Sequence, residues 1–422
     1  MKILLLHVSE GAERLPVAPL GMACVAVAAV RAGHQVHRLV LPPEEMKARL
    51  PGLLSRLAFD AIGISVRNID DQRRVDPVFF PQQVRRVVDL CRRCSSAPLI
   101  VGGAGFSIFP QRILDYLGAD YGIRGEGEVS FVDLLDRLQN HQPVDDIGGL
   151  VLPGRSTAIP ARFSDLATVP LPRPGRDLSL PAPSADLWVP FQTRRGCVMD
   201  CSYCSTASIE GRPLRRRPAK QVIANLKEYV ATGYRQFFLV DNTFNLPESY
   251  AVELCETMQA AGCSCVWKAI VYPWRMSERL VRAMAGAGCE EVSLGFESGS
   301  PGVLRRMNKR YNPEDVIGVS RLFSRYGIKR LGFLLLGGPG ETRDTVLESL
   351  QFADDLECEA LKITVGLRIY PGTPLEGVAL REGVITAATD LLRPTFYLAP
   401  GLEAWLPATV AAWAAERPHW LY

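Results

Sequence analysis

Net charge is scarce in this sequence: 48 Lys and Arg stand against 45 Asp and Glu over 422 residues, a formal balance of +3. A chain that grips a polyanion concentrates basic charge, so no nucleic-acid partner is expected. Long apolar runs are lacking too. None reaches the roughly 18 residues of a membrane span, and no membrane partner is expected. The opening "MKILLLHVSEG" carries one lysine and an apolar run that stops after a few residues. It reads as a first strand and not as an export signal, and a cytoplasmic location follows. Low-complexity tracts and short internal repeats are absent. Eleven cysteines are present, but an odd count in a large chain without an export signal argues for reduced thiols or metal ligation and against a disulfide framework.

Over residues 1–140, strand and helix signals alternate: "KILLLHV", "QVHRLVL", "AIGISV", "PLIVGG" and "YGIRG" are separated by helical spacers. Five short apolar runs in this order predict an α/β domain with a doubly wound, Rossmann-like parallel sheet. Its ligand would lie beyond the carboxyl ends of the strands, where Ser65, Gly102, Gly103, Gly105 and Gly125 fall. Residues 141–186 are rich in Pro and Ser and read as a connecting arm. Over 187–382 the alternation resumes with six strand candidates, from "WVPFQTRRG" to "ALKITVGLRIY". Six units are too few for a full eight-fold barrel and predict a partial (βα)6 TIM-type barrel. Residues 383–422, with Phe396, Tyr397, Trp405, Trp413, Trp420 and Tyr422, read as a carboxyl-terminal packing cap.

The barrel's first strand runs into "RRGCVMDCSYCS", which spaces Cys197, Cys201 and Cys204 as Cys-x-x-x-Cys-x-x-Cys. A closed zinc site needs four ligands, and no histidine or second cysteine pair lies near Cys204. A cubane iron-sulfur cluster offers one iron to each ligand, so three cysteines leave one iron open to an outside chelator. Cys91 and Cys94 sit in the helically spaced "QQVRRVVDLCRRC", and Cys263 and Cys265 beside a strand start; both pairs read as packing residues.

With these residues the barrel half resembles the radical S-adenosylmethionine (SAM) enzymes. That family holds a 4Fe-4S cluster on three such cysteines, and the methionine moiety of SAM chelates the fourth iron. The likeness extends to "LGFESGS", "LLLGGPGET" and "YPGTPL". It implies SAM contacts from Tyr203, Asn242, Glu297, Ser298, Gly337, Gly338, Tyr370 and Gly372. Asp241, which ends the second strand in "LVDNTFN", is implied as a catalytic polar group; capping of the next helix is the other reading. Arg215 and Arg217 match a basic stretch common after the cluster loop, or form a solvated charge run.

The first domain resembles the cobalamin-binding domain that precedes the barrel in one class of these enzymes, through "PLGMACVAVAAVRAGHQV", "GISVRNID", "VGGAGFSIFP" and "YGIRGEGE". A cobalt-ligating Asp-x-His-x-x-Gly is absent, since the His7 region reads Leu5-x-His7-x-x-Glu10. His7, His34 and His37 then read as ordinary strand and turn residues. The resemblance implies contacts to cobalamin from Ser65, Val66, Asn68, Gly102, Gly103, Gly105, Gly125 and Glu126. It places Arg67 at the lower corrin face, where a guanidinium is a poor metal ligand and would leave cobalt five-coordinate; a surface pair with Asp70 or Asp71 is the alternative.

The implied activity is methyl transfer from SAM via methylcobalamin to a carbon of a small-molecule or peptide-derived natural-product intermediate, including an aromatic carbon such as an indole. The implied electron donor is flavodoxin or ferredoxin. Trp267, Tyr272 and Trp274 line an aromatic substrate's pocket or pack the core. Two other readings stand: a non-methylating member catalysing cyclisation or ring contraction, and a cobalamin or redox sensor without turnover.

Overall fold

The computed structural model describes residues 1–9, 18–155, 165–178 and 180–421. Glu10 of the histidine reading, Ser179 of the arm and Tyr422 of the cap lie outside them. The chain divides into two compact units. One comprises Met1–Asp71, Pro77–Ala182 and Ser208–Gly211, the other Gln72–Asp76, Pro183–Ala207 and Arg212–Tyr422.

The first unit carries β1 (Lys2–Val8), β2 (Gln35–Leu41), β3 (Ala61–Ser65), β4 (Leu99–Gly102), β5 (Tyr121–Ile123) and β6 (Leu150–Val151), in the order β2-β1-β3-β4-β5-β6. All pairings are parallel except β5 with β6. The stretch read as an arm thus also supplies a sheet strand. β1 is buried from Ile3 to Val8, as an inner strand covered by helices on both faces must be, and that is why it reads as an uninterrupted apolar run. Helices Leu20–Arg31 and Gly127–Gln139 pack together; Pro43–Arg56, Pro81–Cys94 and Pro110–Leu117 form the other helical group. Each of these last three begins with proline, whose fixed φ and missing N–H suit a first helical turn. Strand order reverses between β1 and β3, which puts the switch-point crevice beyond Val8 and Ser65.

The second unit contains β7 (Val189–Phe191), a small hairpin of β8 (Arg194–Arg195) and β9 (Arg215–Arg216), then β10 (Gln236–Leu239), β11 (Val266–Val271), β12 (Cys289–Glu297), β13 (Lys329–Leu336) and β14 (Ala360–Val365). A second small pair, β15 (Leu367–Arg368) and β16 (Phe396–Tyr397), is followed by β17 (Trp420–Leu421). The main sheet runs β17-β14-β13-β12-β11-β10-β7 and is parallel throughout. This is the expected open barrel of six strand-helix units with one addition: β17, from the cap, joins its edge. Burial alternates along β11, β13 and β14, so successive side chains serve the helix-covered face and the less covered one.

His7 lies near the end of β1, paired with Ser65 and Val40, and is 3% exposed. Burial, and then the Arg67 guanidinium, push its proton affinity down to about 4 against the opposing effect of a Ser65 backbone hydrogen bond. The unfolded chain protonates this imidazole near 6.5, so His7 contributes full stability above that pH and loses it as pH falls towards 4. We predict that His7→Leu shrinks the drop in melting temperature between pH 7 and pH 4.5; an unchanged drop would show that His7 does not titrate in this window.

Candidate active site

The cysteine loop starts from a fully buried carboxylate. Asp241, 0% exposed just after β10, accepts hydrogen bonds from the Thr193 N–H (2.8 Å), the Thr193 hydroxyl (2.5 Å) and the Arg194 N–H (3.1 Å). The Arg194 guanidinium lies 3.4 Å away by Nε, and donates to the Phe244 and Leu246 carbonyls (2.7 and 2.8 Å). It stacks over Tyr250 and Phe244. Both Asp241 oxygens are therefore engaged inside the protein. Enclosed and fully engaged, Asp241 positions Thr193 and Arg194 at the start of the cysteine loop. Arg217 is also buried; its N–H donates to the Thr193 carbonyl and its carbonyl accepts from Tyr250. It belongs to this frame, with β8 and β9 closing the base of the loop, and not to a solvated charge run.

Within the loop Cys197 is buried, Cys201 half-buried and Cys204 exposed. Among the described residues no three His, Cys, Asp or Glu side chains converge on a single-ion site. In a cubane cluster each thiolate would meet a different iron. The three thiols share one loop between β8 and β9, and a donor set of three cysteines suits a 4Fe-4S cluster with one open iron.

Two other segments clamp this loop. The Ser202 N–H donates to the Met307 carbonyl (3.0 Å), and the Asn308 amide donates to the Asp200 carbonyl (3.2 Å). From the other side the Leu375 N–H, at the end of the "YPGTPL" turn, donates to the Ser202 carbonyl (2.9 Å). At the centre sits Lys309, whose side chain is 3% exposed. Its ammonium donates to the Tyr203 hydroxyl (2.9 Å) and Glu297 Oε1 (3.1 Å), hydrogen-bonds Cys201, and faces the rings of Tyr203, Tyr272 and Tyr311. Burial opposes its charge, yet Glu297 and the Tyr203 and Tyr311 hydroxyls hold its proton affinity well above the ordinary lysine value. Glu297 has φ of 62° and follows a register shift in β12. A non-glycine residue in the left-handed region is uncommon, and here the turn aims the carboxylate at Lys309.

Sequence reading missed Lys309, because "RRMNKR" looks like a solvated charge run. The remaining candidates divide. Ser298 bonds Ser349 and the Ser300 N–H, so it fixes its own turn. The N–H groups of Gly337 and Gly338 are both taken by the Glu341 carboxylate (2.5 and 2.8 Å). A Cβ at either would strike Leu398 or Met307, so packing within the chain explains these two glycines. Burial pushes the Glu341 carboxyl up to about 7, against the hydrogen bonds from Gly338 and Gly337. Gly372, at φ 71° with open space where a Cβ would stand, and the buried Tyr370 lie in the turn that docks on the cysteine loop. Asn242 is half-buried beside Asp241. Trp267 is core, stacked on Phe244 and donating to the Ala287 carbonyl. Tyr272 is buried and accepts from the Arg310 N–H. Half-buried Trp274 lies between the Arg275 and Arg310 guanidiniums.

In the first unit the candidate residues gather on two loops that meet at strand ends. The Val66 N–H donates to the Gly102 carbonyl (2.8 Å), and the Gly105 N–H donates to the Arg67 carbonyl (2.8 Å). Gly103, at φ 108°, leaves no room for a Cβ, which would stand 2.5 Å from the Val66 carbonyl oxygen. Ser107 accepts from the Gly125 N–H and donates to the Gly103 carbonyl, tying in the third loop. Ser65, Arg67 and Asn68 are half-buried at this rim, and Glu126 is buried where helix Gly127–Gln139 begins. The buried, neutral His7 next to Arg67 presents no accessible imidazole, so the loops suit a corrinoid held without a histidine ligand.

A Radical SAM superfamily model matches residues 192–353, and a B12 binding domain model matches residues 14–135. The chain thus joins a radical SAM domain to a B12 binding domain, the pairing found in cobalamin-dependent radical SAM enzymes. It is 29% identical over 299 residues to an uncharacterised methyltransferase of Pyrococcus horikoshii, an alignment covering 68% of this chain and 64% of that relative, less than two thirds of its length. It is 24% identical to the tryptophan 2-C-methyltransferase of Streptomyces laurentii, over 84% of this chain and 71% of the other. The fold is that of the radical SAM methyltransferase TsrM from Kitasatospora setae, solved with tryptophan substrate and a SAM analogue: TM-score 0.87 at 21% identity, over 99% of this chain and 90% of that one.

Removing one member of a buried ion pair strands the other and costs about 3–5 kcal/mol, whereas exposed pairs contribute about 1 kcal/mol or less. A double-mutant cycle on Glu297→Gln and Lys309→Met should give a coupling of about 2 kcal/mol or more. The same cycle on the exposed pair Glu278 and Arg325 should give a markedly smaller coupling. Equal couplings would contradict the clamp described above.

Proposed function

We propose that this chain is a carbon methyltransferase that carries a methyl group from SAM, by way of cobalamin, to a small-molecule or peptide-derived natural-product intermediate. An aromatic carbon such as that of an indole is the favoured acceptor. The observation that carries this reading is the loop that brings Cys197, Cys201 and Cys204 together in sequence, in a chain that also holds a B12 binding domain. The activities of the methyltransferase relatives support it, and the tryptophan enzymes among them support the indole.

When bound, the cluster and cobalamin supply the redox and methyl-transfer chemistry, and the protein positions them and excludes water. Cys197, Cys201 and Cys204 would ligate the cluster. Tyr203, Asn242, Glu297, Tyr370 and Gly372 would hold SAM. Ser65, Val66, Asn68, the loop from Gly102 to Gly105, Gly125 and Glu126 would cradle the cobalamin. Arg67 is assigned to the lower corrin face, where a cation that cannot ligate metal keeps that side free of a protein ligand. Flavodoxin or ferredoxin would be the electron donor.

Replacing Cys197, Cys201 and Cys204 together by Ala should abolish bound iron and its visible absorption; retention of both would end the cluster assignment. With cobalamin, SAM, reductant and tryptophan as the indole probe, the reconstituted protein should form S-adenosylhomocysteine and a product heavier by one methylene. Consumption of SAM without that mass gain, across a panel of candidate acceptors, would point instead to cyclisation or ring contraction. No consumption at all would leave a sensor.

A further inference from the structure

At the other end of the barrel strands, the residues preceding β10, β11 and β12 frame a cavity of about 520 Å³, lined among others by Arg235, Gln259, Cys263, Cys265 and Gly288. The two thiols were expected to pack; instead both are half-buried at this cavity, with Sγ atoms 3.8 Å apart and hydrogen-bonded. The chain geometry holds them together. The Cys263 N–H donates to the Met258 carbonyl at the end of helix Glu248–Ala260, and the Cys265 N–H folds back to the Cys263 carbonyl (3.0 Å). Gly288, at φ 87°, keeps the neighbouring turn tight, since a Cβ there would stand 2.4 Å from the Cys265 carbonyl oxygen. β11, six residues long, separates this pair from the strand ends that carry the cysteine loop by about 20 Å. The pair therefore has no place in the site described above.

We propose that Cys263 and Cys265 are a thiol–disulfide exchange site that reacts with small-molecule disulfides and closes reversibly to an intramolecular disulfide. The Cys263 thiolate attacks one sulfur of the disulfide R–S–S–R, forming a mixed disulfide and expelling one R–S⁻. Cys265 then gives its proton to solvent and attacks the Cys263 sulfur, expelling the second R–S⁻. Two protein thiols are oxidised by two electrons and one small disulfide is reduced to two thiols.

The electrostatics set the order of attack. The hydrogen bond shared with Cys265, and the Lys227 and Arg235 charges nearby, lower the Cys263 proton affinity against the effect of burial. The same hydrogen bond, and burial, raise that of Cys265. Capping of Cys263 removes the negative acceptor that keeps Cys265 protonated, which frees Cys265 for the second step. A thiolate flanked by cations and open to a cavity is the reactive kind of cysteine.

The test uses the cluster-loaded protein under anaerobic conditions, with oxidised glutathione as the probe, followed by alkylation and peptide mass mapping. Exposed Cys94 on helix Pro81–Cys94 is the internal reference. The peptide holding Cys263 and Cys265 should lose two hydrogens, resist alkylation, and react at least about tenfold faster than Cys94. Dithiothreitol should restore it, with iron content unchanged throughout. Cys265→Ser should stop at a glutathione adduct on Cys263, and Cys263→Ser should leave Cys265 unmodified. Reaction no faster than at Cys94, or an adduct forming first on Cys265, would overturn the proposal.

Discussion

The second unit depends on one buried carboxylate. Asp241 ends β10, yet its hydrogen bonds reach back to Thr193 and Arg194, two residues that follow β7 and lead into the cysteine loop. A charge this deep is tolerated only when its oxygens are saturated and a cation stands beside it; Thr193 and Arg194 do both. In turn Arg194 is tolerated because Asp241, two carbonyls and two aromatic faces surround it. Neither charge could be buried without the other, so the exit direction of the chain from β7 is fixed before any cysteine is reached.

Beyond that anchor the loop has little regular structure of its own and takes its shape from neighbours. Lys309 is the hub, joining Glu297 at the end of β12 to Tyr203 and Cys201 within the loop. A positive-φ glutamate and a buried lysine are each unfavourable alone; together they form an ion pair screened from water, whose effect is correspondingly large. The "YPGTPL" turn adds a backbone bond through Leu375. Residues far apart in the chain thus hold the segment that carries the three thiols, as a cluster ligand set requires.

Much of this was legible in the sequence. Apolar runs bounded by glycine and proline marked β1 to β5 and the six main barrel strands, because parallel strands buried under helices need uninterrupted hydrophobicity. The cysteine spacing marked the loop. What stayed hidden was tertiary: Asp241 looked catalytic because a polar residue at a strand end is a common signal, and only its burial shows that it serves the backbone. Lys309 was hidden in a run of charges, since sequence cannot show which cation of "RRMNKR" turns inward. Gly337 and Gly338 resembled ligand-approach glycines, but Leu398 and Met307 fill the space they leave. Cys263 and Cys265 looked like packing residues because nothing local reveals a cavity.

The joining of β17 to β14 bears on self-association. An open parallel barrel has a strand edge whose unpaired N–H and C=O groups could template pairing with another chain. Trp420 and Leu421 occupy part of that edge by pairing with Leu361 and Lys362. The segment before them is pinned by Arg417, which bonds Asp354 and stacks on Trp413 and Trp420. The aromatic-rich segment thus leaves a shorter stretch of that edge open to pairing with another chain.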